Sequence, residues 1–132
     1  MTATLTPYQA ESYLETRAYN EGITVDELLD MTPTSVSDHP VESAMFWQQR
    51  DYSHKFPVSL YPEMADDPDN AMPEDSSVNR QRGADIMTSE EEYLATLDNE
   101  ILASEIDLSY SGDVDTCYLE YVPDTLPFFG LF

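Results

Sequence analysis

Thr88-Ser-Glu-Glu-Glu-Tyr-Leu-Ala-Thr-Leu-Asp-Asn-Glu-Ile-Leu-Ala-Ser104 is the stretch on which the fold turns. Thr88 and Glu91 have capping-box spacing, and Glu90, Glu91 and Glu92 fall in a first turn, where the helix dipole favours anions. Leu94, Leu97 and Ile101 recur at helical spacing and predict a buried stripe on a helix reaching about Ser104. Its solvent side carries the glutamate triplet, Asp98, Glu100 and Glu105 with no Lys or Arg between them, so the usual i,i+4 ion pairs are missing.

Two further capping boxes mark the N-terminal region. Thr6 with Gln9, and Pro7 at the first helical position, start a helix expected to run to Asn20, with Ala10, Tyr13, Leu14 and Ala18 inward and Gly22 as a left-handed cap. Thr24 with Glu27 starts a second helix through Met31, its start stapled by Ile23 and Leu28, so residues 1–31 form a helical hairpin. Residues 18–29 resemble a helix-turn-helix joint. Glu11, Glu15, Glu21, Asp26, Glu27 and Asp30 face only Arg17 there, so the joint serves helical packing rather than DNA reading.

Thr32 to Asp38 is Pro/Ser/Thr-rich and reads as a connector. Pro40 opens a central helix on which Val41, Ala44, Met45, Gln48 and Tyr52 share a face. Residues 39–60 form an aromatic segment, charge-neutral over 41–60, where Glu42 and Asp51 balance Arg50 and Lys55. Phe46, Trp47, Tyr52 and Phe56 make it the main aromatic cluster of the core, or else a partner-facing hot spot; the size of the chain favours the core. Residues 61–83, with Pro62, Pro68 and Pro73 among six acids, read as a long acidic loop, functional or ordered by a partner. Arg80 and Arg82 at its end suit internal ion pairs.

Residues 84–132 hold the helix at Thr88, a small hairpin and an apolar tail. Ile106, Leu108 and Tyr110 alternate with polar residues as in a strand, Gly112-Asp113 marks a turn, and Val114 to Val122 suits a returning strand in an antiparallel hairpin, although that last stretch also fits helical spacing. Leu126, Phe128, Phe129, Leu131 and Phe132 form the tail. It either packs back on its own domain or inserts into a groove on another protein, since leaving it in water forfeits about 25 cal/mol per Å². The expectation is one α+β domain over residues 1–132: N-terminal helical hairpin, central helix, long acidic loop, C-terminal helix and small antiparallel β-hairpin.

Composition bounds the function. Of 132 residues, 27 are acidic and five basic, giving a net charge of −22, which works against folding and suggests a use for the field. Such a chain lacks the cations that grip phosphates, so direct nucleic-acid binding is disfavoured, and an anionic membrane repels it. No stretch approaches the ~20 apolar residues of a membrane span, the N-terminus lacks a signal-peptide layout, and the single Cys117 fits a reducing compartment. These point to a cytoplasm, or a virion assembled there.

Patterns for chemistry are missing. Four isolated glycines make no phosphate loop, and Cys117, His39 and His54 lack the paired spacing of a zinc site. Neither Asp67-Pro-Asp69-Asn70 nor Asp113-Val-Asp115 continues as an EF-hand loop. Nothing marks a histidine as the base for a Cys117 nucleophile, and 27 acids guarantee accidental carboxylate pairs. The expectation is a binding protein without cofactor or metal, not an enzyme.

The leading reading is a mimic of nucleic acid that inhibits a DNA-handling or defence protein, of the kind phages and mobile elements encode. Asp66, Asp67, Asp69, Glu90, Glu91, Glu92, Asp98, Glu100 and Glu105 then stand in for phosphates against a basic protein surface. The chain resembles DNA-mimic proteins in composition and size; no motif carries the resemblance. A competing reading is a virion structural, accessory or adaptor protein docking through its loop and apolar tail. Salt adaptation, suggested by one Lys against four Arg, is a third.

Overall fold

A computed structural model describes residues 5–115 of the chain. It is a mixed α+β arrangement of helices α1 (Pro7–Glu21), α2 (Val25–Asp30), α3 (Thr34–Ser37), α4 (Pro40–Trp47), α5 (Ser76–Arg82) and α6 (Ser89–Asp115) with strands β1 (Asp51–His54) and β2 (Ala71–Glu74). The strands pair antiparallel, Asp51 opposite Glu74 and His54 opposite Ala71.

The helical hairpin forms as its caps dictate. Thr6 and Thr24 each accept the N3 amide while Gln9 and Glu27 return the bond, and Gly22 ends α1 at φ 78°, a conformation that suits a residue without Cβ. Ala10, Leu14 and Ala18 are buried against α4. There Phe46 and Trp47 are fully buried and meet edge to face, with ring centroids 5.8 Å apart, so these two members of the aromatic cluster are core, Tyr52 packs half-buried against it and Phe56 is exposed. The Trp47 indole donates to Thr32 Oγ1 at 2.8 Å, and the Arg17 guanidinium lies over the same ring while donating to the Trp47 carbonyl at the end of α4 and to the Arg50 carbonyl beyond it. This cation thus supplies a partner for a terminal carbonyl that has none inside the helix. The central helix stops at Trp47, and Tyr52 lies in β1 rather than on the helical face expected for it. The connector at 32–38 folds into α3, whose Val36 is fully buried.

Three expectations are corrected. Residues 61–83 are not a long loop: two 3₁₀ turns, Pro62–Met64 and Pro68–Asn70, lead into β2 and α5. Polar side chains, which hydropathy cannot score, order the segment. The Asn70 amide accepts from Phe56 N–H at 2.8 Å and donates to the Phe56 and Met64 carbonyls, and Pro73, lacking an N–H, fits a strand paired on one side only. Residues 106–111 are not a strand, because α6 runs on through them to Asp115; the expected returning strand over 114–122 and the tail from Leu126 fall mostly or wholly outside the described residues.

The third correction concerns the core face of α6. Leu94, Leu97 and Ile101 are exposed, by 55%, 43% and 59%, while Ala95, Asn99, Ala103 and Ile106 are buried. Small residues face inward because α6 lies across α3, α4 and β2, where the Asn99 amide donates to the Pro73 carbonyl at 2.7 Å. At about 100° per residue, Tyr93, Leu94, Leu97, Ile101 and Leu108 span roughly 100° of arc on the side opposite the buried set. The helix therefore carries two apolar faces, a small one inside and a large one outside.

Candidate protein-binding surface

All five Lys and Arg side chains lie within 4 Å of a carboxylate of the chain, Arg80 from an exposed position. Arg17 contacts Glu21 at 3.5 Å, Arg50 meets Asp98 at 2.7 Å, Lys55 meets Glu92 at 3.0 Å, Arg80 lies 3.9 Å from Asp51, and Arg82 pairs with Glu74. With 27 acids against five cations, the outward field is set by carboxylates alone.

The acids singled out from the sequence fall into two groups. Asp66, Asp67 and Asp69 are exposed on the turns before β2; Asp67 accepts from the Asp69 amide at 3.0 Å, and Asp66 rests against the Gly22 turn. Asp69 comes beside Glu27 and Asp30 of α2, lining one hollow with Lys55, and a neighbouring hollow joins Asp30 and Lys55 to Glu92 and Glu100 of α6. The α2 acids complete this face, which sequence order conceals. The Tyr52 hydroxyl registers the field: burial, then the charges of Glu21, Glu27, Asp66 and Asp67, push it up to about 12.

On α6, Glu90, Glu100 and Glu105 are exposed, whereas Glu91 returns the capping bond to the Thr88 amide at 2.8 Å. Two of the nine are neutralised: Glu92 by Lys55 and Asp98 by Arg50. Glu91, Asp98 and Glu105 recur every seven residues along one edge of the outer apolar stripe, and Glu100 and Asp107 lie along the other. Leu126, Phe128, Phe129, Leu131 and Phe132 lie outside the described residues.

Two buried carboxylates were not distinguished by sequence. Glu74, opposite Asp51 on the sheet, is held by Arg82 and Ser53; its signal was Arg82 eight residues on. Ser53 Oγ lies 2.8 Å from Glu74 and 2.9 Å from the Asn79 side-chain Oδ1, and accepts from Arg82 at 3.1 Å. The Glu74 bond raises Arg82 further above its already high pKa. Burial opposes ionisation of Asp51, but donation by Ser76 and Asn79 and the charge of Arg80 hold its carboxyl below the usual range. Glu42, on α4, is 2% exposed, and its Oε1 has no hydrogen-bond partner. Burial, and then the hydrogen bond and charge of Asp107 from α6, push its carboxyl up to about 7 against the lowering influence of His39.

His39 precedes α4, and His54 packs edge to face on Tyr52 with ring centroids 5.5 Å apart. Cys117 lies outside the described residues. Among the described residues no three His, Cys, Asp or Glu side chains are grouped to hold a metal ion, and no helix is long and apolar enough to cross a membrane. No protein family, curated protein or solved structure matches this chain.

Proposed function

We propose that this chain is an acidic inhibitor, a binding protein rather than an enzyme, that occupies the basic nucleic-acid-binding surface of a DNA-handling or defence protein by presenting carboxylates in place of phosphates. The observation that carries this reading is that every one of the five cations lies within 4 Å of a carboxylate of its own chain, only Arg80 reaching well into solvent, so the outward field is set by the excess of unpaired acids. Helix α6 has nine acidic residues and no Lys or Arg in 27. With Glu92 and Asp98 paired, seven remain, which at a rise of about 1.5 Å is roughly one charge per 6 Å, within a factor of two of the ~3.4 Å per charge of one DNA strand. A field of this kind speeds encounter with a basic groove and weakens as salt rises.

The test is capture of a partner from the native host's lysate, with duplex DNA as competitor and with Glu90→Gln, Glu100→Gln and Glu105→Gln combined. These positions are exposed and unpaired among the described residues, so the fold is spared. Displacement by DNA, and loss of capture in the triple variant, support mimicry. Capture indifferent to both sinks it. The outer apolar stripe of α6 favours the second reading, an adaptor or virion accessory protein that docks through apolar contacts; its partner would survive high salt and ignore DNA.

A further inference from the structure

The outer face of α6 is an apolar surface without a described partner. Tyr93, Leu94, Leu97, Ile101 and Leu108 are 43–73% exposed on one side of the helix. At its N-terminal end the stripe opens into a cavity of about 400 Å³ between α5 and α6, floored by Val78, Leu94 and Ala95 and rimmed by Glu74, Asp75, Glu91 and Asp98. Carboxylates around an apolar floor suit aromatic rings, whose edges carry the positive part of the ring quadrupole. They oppose a second copy of the chain, which would bring the same acids, and a net charge of −22, edge to edge against them.

Residues 116–132 follow α6 directly. From Leu94 to Asp115 the helix rises about 32 Å, at ~1.5 Å per residue. The ten residues 116–125, fully extended, reach about 33 Å. Leu126 can therefore return to the level of Leu94, bringing Phe128, Phe129 and Phe132 to the cavity mouth. Residues 126–132 carry no acidic side chain, so none of their side chains adds charge to the rim.

We infer that residues 126–132 fold back on their own chain, covering the outer stripe of α6 and seating an aromatic ring in the cavity between Val78 and Leu94. The large outer face of α6 is then a second core closed by the tail, and the exposed carboxylates on either edge stay free. This inference is independent of the mimicry reading.

The test places a nitroxide on the full chain at Phe129→Cys, with Cys117→Ser so that the label has one site, and reads paramagnetic broadening of backbone amides. Amides of residues 93–101 should lose most of their intensity at every protein concentration. A 1:1 mixture of nitroxide-labelled, isotope-free chains with isotope-enriched, unlabelled chains should show none. Adding Ile101→Asp should restore the intensities without moving α1 to α4 signals, since Ile101 is exposed and outside the inner core. Unbroadened amides over 93–108 overturn the inference, as does broadening that survives Ile101→Asp. Broadening that appears in the mixed sample also overturns it, and assigns the stripe to a second copy.

Discussion

Two buried carboxylates, Glu74 and Glu42, lie in the same small protein and are kept by opposite means. Glu74 sits between β1, β2 and α5, where Arg82 supplies a counter-charge and Ser53 a further contact, all three side chains shielded from water. Glu42 lies where α4 meets α6; its neighbour there is the carboxylate Asp107, its counter-charge at best His39, and one oxygen has no partner. A buried charge is tolerable when paired and otherwise avoids ionising. The first site is balanced by a counter-charge, and the second holds its proton up to about pH 7.

Arg82→Ala breaks the comparison most severely, because it leaves Glu74 buried without its cation. Removing one partner of a buried pair typically costs about 3–5 kcal/mol. Equilibrium urea unfolding should show that loss, whereas Glu74→Met with Arg82→Leu, which removes both charges, should recover most of it. Equal losses for the single and double variants would mean that packing, not charge pairing, holds α5 to the sheet.

At Glu42 the sign reverses. Its carboxyl lies at about 7 in the folded chain against an ordinary value of 4.5, so the folded state binds the proton more tightly. The stabilisation is fully present below the unfolded value and is lost as pH rises from about 4.5 through 7. Glu42→Gln, which stays neutral and can still donate to Asp107, should be more stable than the parent at pH 8 by on the order of 2–3 kcal/mol and little different at pH 4. The difference between the two stability–pH curves isolates this group from the other acids. A difference independent of pH would show that Glu42 titrates alike in the folded and unfolded chain and that its burial does not hold the proton.

Neither site was legible as a site. The capping boxes at Thr6, Thr24 and Thr88 could be read because each is a local bond pattern over four residues, and the Ala10–Leu14–Ala18 stripe because one face of α1 alone is apolar. The stripe of α6 misled because that helix has two apolar faces and hydropathy favours the larger one; alanines on the inner face score little yet permit close approach of α3 and α4. The run Ile106–Tyr110 alternates as a strand does, but Ile106 packs in the core from a continuous helix. The segment 61–83 was opaque because Asn70, Ser53 and Glu74 order it through hydrogen bonds between residues 14 to 21 positions apart. Likewise the acidic face joins Glu27 and Asp30 to Asp69 and Glu100 only through folding.

Within the Glu74 site, Ser53→Ala separates the hydroxyl from the ion pair. It removes contacts to Glu74, Asn79 and Arg82 but leaves the counter-charge, so the loss should be about 1–2 kcal/mol, well below that of Arg82→Ala. A loss as large as that of Arg82→Ala would make the hydroxyl, rather than the guanidinium, the centre of the network.

Arg80 gives the sharpest control, since it differs from Arg82 by two positions on one helix and in little but burial. Its side chain is 77% exposed and reaches Asp51 only at 3.9 Å, whereas that of Arg82 is 4% exposed. An exposed pair at that distance is screened by water and salt, so Arg80→Ala should shift stability by no more than about 0.5 kcal/mol. Asp51 keeps its bonds from Ser76 and Asn79 in that variant, so the polar network itself stays intact. A loss approaching that of Arg82→Ala would mean that α5 is held by the summed charge of its arginines, and the contrast between the two buried carboxylates would no longer rest on local pairing.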